Sequence, residues 1–127
     1  MQISQERHGD ALVLTLAGRI DNSTTETFKT ELDVHVASCR PEGDRLILDF
    51  AGVDYISSVG LRVLMLAAKR AREQGGTIVV GALQPVVREI FEISRFNLIF
   101  ECFGSVREAL AKVSPEGLAA YDSGHAA

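Results

Sequence analysis

The segment DFAGVDYISSVGL, residues 49–61, decides the fold of this chain because it links a strand to a helix through a short loop. The residues before it, 45–50, contain an apolar run without polar alternation, which is typical of a strand covered on both faces. Serine is a preferred helix N-cap, and Ser57 and Ser58 precede an amphipathic stretch. We therefore predict a strand at 45–50 and a helix from this serine pair to about Gln74.

Strands and helices alternate along the rest of the chain. The predicted elements are an N-terminal hairpin over 3–16 that turns at 8–10 and ends before Gly18, a helix from the N-cap candidates 22–24 to about 38, a strand at 77–80, a helix from Pro85, a strand at 98–102 and a helix from Ser105 to about Val113. Such alternation implies βαβ crossovers and parallel pairing. The sequence predicts one α/β domain, residues 1–113, with a mixed, mostly parallel sheet, an antiparallel N-terminal edge strand and about four helices.

The C-terminal segment, residues 114–127, differs in composition from the rest of the chain. It is rich in Ala, Gly and Ser and also contains Pro, Glu and Asp. Small and polar residues of this kind bury little apolar surface. We predict a flexible tail that contributes nothing to the core.

Composition excludes several classes of function. The chain has 127 residues and a net charge of −4, which disfavours nucleic acid as a direct partner. No apolar run is long enough to span a bilayer, and the polar N-terminus resembles no signal peptide. Cytoplasmic location is the expected default. Cys39 and Cys102 fit no metal-binding spacing, and we predict free thiols.

Titratable side chains form no recognisable catalytic or metal-binding motif. No nucleophile elbow, P-loop or metalloprotease pattern occurs, so we predict neither an enzyme nor a cofactor. The scattered candidates are the histidines His8, His35 and His125 and the carboxylates Asp21, Asp49 and Asp54.

The helix that begins at the serine pair has two distinct faces. The predicted core face is Leu61, Leu64, Met65, Ala68 and Ala71, and the helix from Pro85 should bury Val86, Val87, Ile90 and Phe91. Leu66 stands among the charged residues Arg62, Lys69, Arg70 and Glu73 on the opposite face. Arg62 follows Ser58 by one helical turn. Our hypothesis is that Ser58, Arg62 and Leu66 border a surface where a partner docks.

The serine pair itself allows two interpretations. On the residues alone, helix capping is the favoured one, because serine is among the commonest N-caps. The N–H groups and partial positive charge of a helix N-terminus would also stabilise a phosphate. Phosphoserine adds a charge of about −1.5 to −2 at pH 7, so a phosphorylation switch at Ser58 is the second interpretation.

Several separated motifs resemble the STAS domain family, and in particular its anti-sigma-factor antagonists. That family has Asp-Ser-Ser/Thr-Gly-Leu at a helix start, and residues 57–61 are similar. Residues 18–21, Gly-Arg-Ile-Asp, resemble the family's Gly-Glu-Leu/Ile-Asp after the second strand. Gly75-Gly76 before a strand and the pattern from Pro85 to Ser94 also match in order.

The resemblance implies a partner-switching regulator. The unphosphorylated antagonist would bind a serine kinase of GHKL type that is also an anti-sigma factor, and thereby release the sigma factor. Phosphorylation at the position of Ser58 would end the binding, and a PP2C-type phosphatase would restore it. Ser57 occupies the place of the family Asp, which leaves it as an alternative acceptor. The implied partner-binding residues are Asp21, Ser57, Ser58, Gly60, Arg62 and Leu66.

Two other functions stay open at this point. STAS subunits of ABC-type lipid transport complexes also resemble this domain, and they would copurify with an ATPase and membrane proteins. A nucleotide-binding sensor is a further option, although no phosphate-cradling loop is evident. The serine pair and the Gly-x-Ile-Asp motif favour the antagonist.

Overall fold

A computed structural model of the chain describes residues 1–124, and His125 lies outside them. The strands are β1 Gln2–His8, β2 Ala11–Ile20, β3 Arg45–Ile56, β4 Thr77–Gly81 and β5 Cys102–Phe103. The helices are α1 Thr25–Val36, α2 Ser58–Glu73, α3 Pro85–Ile93, α4 Val106–Val113 and α5 Pro115–Gly124, with a 3₁₀ turn at Phe96–Leu98.

The five strands form one mixed sheet in the order β1-β2-β3-β4-β5. β1 and β2 pair antiparallel, as a hairpin requires, and the remaining pairs are parallel because a helix connects each of them. The predicted α/β class, the mostly parallel sheet and the antiparallel edge strand are confirmed. Within residues 1–124 the helices number five rather than about four.

Strand β3 is buried on both faces, as its apolar run predicts. Leu46 and Leu48 belong to the larger core, which packs under α1, α2 and α3. Ile47 points to the opposite face and joins a smaller core with Ala109 and Leu110 of α4. Helices therefore cover both sides of the sheet around its central strand.

Strands β2 and β3 extend further than the sequence predicted. β2 continues through Gly18 to Ile20, and β3 continues to Ile56. Gly18 has a φ of +102°, and the register between β2 and β3 shifts on either side of it. A glycine can occupy that conformation inside a bulge. The prediction that Gly18 ends the strand was therefore wrong.

The last strand also differs from its prediction at 98–102. Phe96 and Phe100 are both buried, and their spacing of four residues is helical rather than alternating. The chain consequently forms a 3₁₀ turn there, while Leu98 is 75% exposed. The strand begins only at Cys102 and pairs with β4 over two residues.

The predicted flexible tail is a packed helix over the part that the structure describes. Ser114 is buried, donates a hydrogen bond to Asp10 and accepts one from the Gly117 N–H at 2.8 Å, which caps α5. Leu118 and Tyr121 of α5 pack against the smaller core. The domain thus extends beyond residue 113 to at least 124, because two apolar side chains spaced one turn apart fix the helix on the sheet.

Two side chains that were predicted to be buried are exposed. Met65 in α2 is 40% exposed and Val86 in α3 is 55% exposed. Ala67 is buried instead of Met65, since the face of α2 that meets the sheet is centred on Leu64. The buried side of α3 consists of Val87 and Phe91, and Val86 is not part of it.

Candidate functional site at the start of helix α2

Ser57 connects the ends of two strands to the first turn of α2. Its backbone N–H donates to the Ile20 carbonyl at 2.8 Å, where β2 ends. Its backbone is extended, and its Oγ accepts a hydrogen bond from the Gly60 N–H at 3.2 Å. Ser57 is therefore the N-cap, and its hydroxyl satisfies one of the otherwise unpaired N–H groups of the helix.

Ser58 is the first residue of α2 and is exposed to solvent. The first turn of α2 contains no acidic residue, so no carboxylate there neutralises the partial positive charge of the helix end. A phosphate on Ser58 would meet favourable electrostatics without displacing any core side chain. The two serines thus differ in role: Ser57 caps the helix, and Ser58 presents a hydroxyl to solvent.

Gly60 brings helix α2 into close contact with the ends of β2 and β3. A Cβ atom at Gly60 would lie 2.7 Å from Ile20 Cγ2 and 2.9 Å from Ile56 Cγ1. Both isoleucines are buried, so neither can move without disturbing the core. The glycine of the Ser-Ser-x-Gly motif and the isoleucine of the Gly-x-Ile-Asp motif are therefore packing partners, and together they fix the position of Ser58.

Asp21 lies in the turn between β2 and α1, and its carboxylate accepts hydrogen bonds from several donors. Its Oδ1 accepts from the Ser23 N–H at 3.0 Å and from Ser23 Oγ at 2.7 Å. Its Oδ2 accepts from Arg19 Nε at 3.3 Å. These donors favour the carboxylate, and the pKa of Asp21 is lowered, chiefly by the hydroxyl of Ser23 and less by Arg19.

Arg19 is held in place from two sides. Its Cζ lies 4.3 Å from the centroid of the Tyr55 ring, in a cation–π arrangement. Arg19 and Tyr55 are register partners on the parallel strands β2 and β3. The Tyr55 ring therefore supports the face of the guanidinium, and the Nε edge of the guanidinium contacts Asp21.

These side chains surround an open depression of about 390 Å³ beside the N-cap of α2. Its lining is Arg19, Asp21, Asn22, Ser23, Tyr55 and Ser57. The structure thus brings Asp21 and Ser57 together, as the resemblance implied. Arg19 and Tyr55 were not identified from the sequence as site residues. The only signal for Arg19 was its place within the Gly-x-Ile-Asp motif, and the pairing with Tyr55 requires the strand register.

Arg62 and Leu66 lie on the exposed side of α2, one and two turns after Ser58. Leu66 is 45% exposed, and Val59 in the first turn is 44% exposed. An apolar surface of this kind next to Ser58 is consistent with a docking face. Gly60, in contrast, is buried and cannot touch a partner.

The other candidate groups lie apart from this site. His8 is buried in the β1–β2 hairpin, edge-on to the Tyr121 ring and 3.2 Å from Glu6. Within residues 1–124, no three His, Cys, Asp or Glu side chains are grouped so that they could hold a metal ion. In the same part of the chain, no helix has the length and apolar character needed to cross a bilayer.

Both cysteines are free thiols, as predicted. Cys39 is fully buried, and burial raises its pKa to about 11. Cys102 lines a larger cavity of about 600 Å³ between α3 and β5. None of the residues around Ser58 lines that cavity, so it does not belong to the site.

Comparison with known proteins places these features in a family. The family model described as "Mlab, STAS domain" matches residues 3–101. The Bordetella bronchiseptica protein named anti-sigma factor antagonist BtrV is 39% identical over 112 residues, which cover 87% of this chain and 92% of that protein. An anti-sigma-B factor antagonist of Listeria monocytogenes is 32% identical over 97 residues, which cover 76% of this chain and 82% of that one.

Solved structures of low sequence identity share the fold. A crystal structure of an anti-sigma factor antagonist from Mycobacterium paratuberculosis has a TM-score of 0.79 at 23% identity and covers 88% of this chain and 92% of that one. SpoIIAA in its unphosphorylated form has a TM-score of 0.71 at 17% identity and covers 88% of this chain and 96% of its own. With the family model and the two more similar relatives, these findings establish that the chain belongs to the STAS domain family.

Proposed function

We propose that this chain is an anti-sigma-factor antagonist switched by phosphorylation of Ser58. The observation that carries the proposal is the exposed Ser58 hydroxyl on the first turn of α2, beside a depression that holds Asp21. The names of the relatives from Bordetella and Listeria support the same function. The proposal includes a cytoplasmic location and no enzymatic activity of the chain itself.

The unmodified chain binds an anti-sigma factor that is also a serine kinase of GHKL type. That kinase transfers the γ-phosphoryl group of ATP to Ser58 Oγ, which loses its proton, and ADP leaves. A PP2C-type phosphatase hydrolyses the phosphoester with water and returns serine and inorganic phosphate. The phosphate introduces a charge of about −1.5 to −2 on the docking surface, and like charges or unpaired polar groups across an interface weaken binding.

The fold allows this switch without unfolding. Ser58 is exposed and its phosphate would lie at the positive end of α2, so modification changes the surface but not the core. Arg62 and Leu66 extend the contact surface along the exposed side of α2. Asp21 and Ser57 border it on the side of β2. Gly60 contributes by holding α2 against the sheet.

The test is a capture experiment with lysate of the source organism, read by mass spectrometry. Ser58→Ala and Ser58→Asp are the two baits. Ser94→Asp is the matched control, since Ser94 is an exposed serine at the end of α3. We expect Ser58→Ala and Ser94→Asp to retain the same serine kinase and Ser58→Asp to lose it.

The transport alternative predicts a different result. A STAS subunit of an ABC-type complex would retain an ATPase and membrane proteins with all three baits. Equal retention of the same proteins by Ser58→Ala and Ser58→Asp would refute the switch at Ser58.

A further inference from the structure

We propose that Arg19 exchanges its contact with Asp21 for a contact with the phosphate group when Ser58 is phosphorylated. The hydrogen-bond partner of Arg19 then depends on the phosphorylation of Ser58. The inference rests on the proposed function only for the choice of Ser58 as acceptor. Arg19 lines the depression beside the N-cap of α2 together with Ser57, the residue that immediately precedes Ser58.

Arg19 is well suited to receive a second anion. Its contact with Asp21 uses Nε, which is one of the five N–H donors of a guanidinium. A phosphate accepts two parallel hydrogen bonds from such a group. The Tyr55 ring, 4.3 Å from Cζ, supports the guanidinium face and leaves its edge available.

Asp21 tolerates the loss of Arg19. Its Oδ1 keeps the hydrogen bonds from the N–H and the hydroxyl of Ser23 at 3.0 and 2.7 Å. The Arg19–Asp21 pair is also exposed, with 58% and 30% of the two side chains accessible, and such pairs are weak. Arg19 can therefore turn to the phosphate without leaving a buried group unpaired.

Other charged groups close to Ser58 in the sequence would also act on a phosphate at that position. Asp21 and the exposed Asp54 would repel a phosphate, whereas Arg62, one turn further along α2, is a competing cation. The helix N-terminus stabilises the dianion whichever arginine is present. Only a comparison of variants separates these contributions.

The experiment measures the second pKa of phosphoserine placed at position 58 by genetic encoding. The full chain is titrated by ³¹P NMR, and no kinase is required. An exposed phosphoserine titrates near about 6, and pairing with a cation lowers that value. The charge of Arg19 is partly screened by solvent, so we expect Arg19→Gln to raise the pKa of the phosphate by about 0.5 unit. Arg19→Lys keeps the charge, and its phosphate pKa should rise by at most half as much as in Arg19→Gln.

Lys69→Gln is the matched control, because it also removes one positive charge from the surface. Lys69 lies eleven residues along α2 from Ser58, or about 16 Å, which exceeds the screening length at physiological salt. We expect no shift in this variant. An unchanged pKa in Arg19→Gln, or a rise only in Arg62→Gln, would overturn the proposal. Neither result depends on partner binding, so the test is independent of the capture experiment.

Discussion

Substitution of Gly60 by alanine tests the link between the two motifs. The new Cβ would lie 2.7 Å from Ile20 Cγ2 and 2.9 Å from Ile56 Cγ1, closer than carbon atoms approach in folded proteins. Overpacking a buried site costs about 1–3 kcal/mol, and the two contacts below 3.0 Å place this site in the upper half of that range, at about 2–3 kcal/mol. Replacing a helical glycine by alanine returns about 1 kcal/mol. We therefore expect a net loss of about 1–2 kcal/mol in the free energy of unfolding.

Urea denaturation followed by circular dichroism measures this loss. For a domain of this size, it corresponds to a fall in melting temperature of about 4–8 °C. Gly124→Ala is the matched control, because a Cβ at Gly124 has no neighbour within 4 Å, and it should leave stability nearly unchanged. If Gly60→Ala were as stable as the wild type or more stable, the close packing of Gly60 on Ile20 would not be a constraint.

Three further predictions concern stability around the site and the C-terminal helix. Ser57→Ala removes the N-cap and should lower the free energy of unfolding by about 1 kcal/mol, whereas Ser58→Ala should change it by less than about 0.5 kcal/mol; equal effects in urea denaturation would contradict their separate roles. Ser114→Ala should cost about 1–3 kcal/mol, because it leaves the buried end of α5 without its hydrogen bonds; a neutral result would show that α5 is not fixed there. The lowered pKa of Asp21 stabilises the fold above the usual aspartate pKa of about 3.9. The stability difference between wild type and Asp21→Asn should therefore be present at pH 6 and shrink as the pH falls below about 4, and a difference independent of pH would refute this.

Features with strong local signals could be predicted from the sequence. Four local signals each indicate where an element begins: the apolar run of β3, the serine caps at Ser57 and Ser105, and the proline at the start of α3. The alternation of these strands and helices then predicts the parallel pairing in the sheet. The serine pair at the helix start was found in the same way.

Features that depend on tertiary packing could not be predicted. Helix α5 contains small and polar residues, and it is stable because Leu118 and Tyr121 contact the second face of the sheet. Burial of Phe96 and Phe100 decides the turn before β5. In the site, the contact of Arg19 with Tyr55 follows from a strand register that includes a shift at Gly18, which no local pattern shows.

The proposed switch requires that phosphorylation of Ser58 ends binding to the partner kinase. The direct test is titration calorimetry of the captured kinase with the unmodified chain and with the chain carrying phosphoserine at position 58. Like-charge repulsion at an interface costs several kcal/mol, so we expect the affinity of the phosphorylated form to be at least about 100-fold weaker. Equal affinity of the two forms would contradict it.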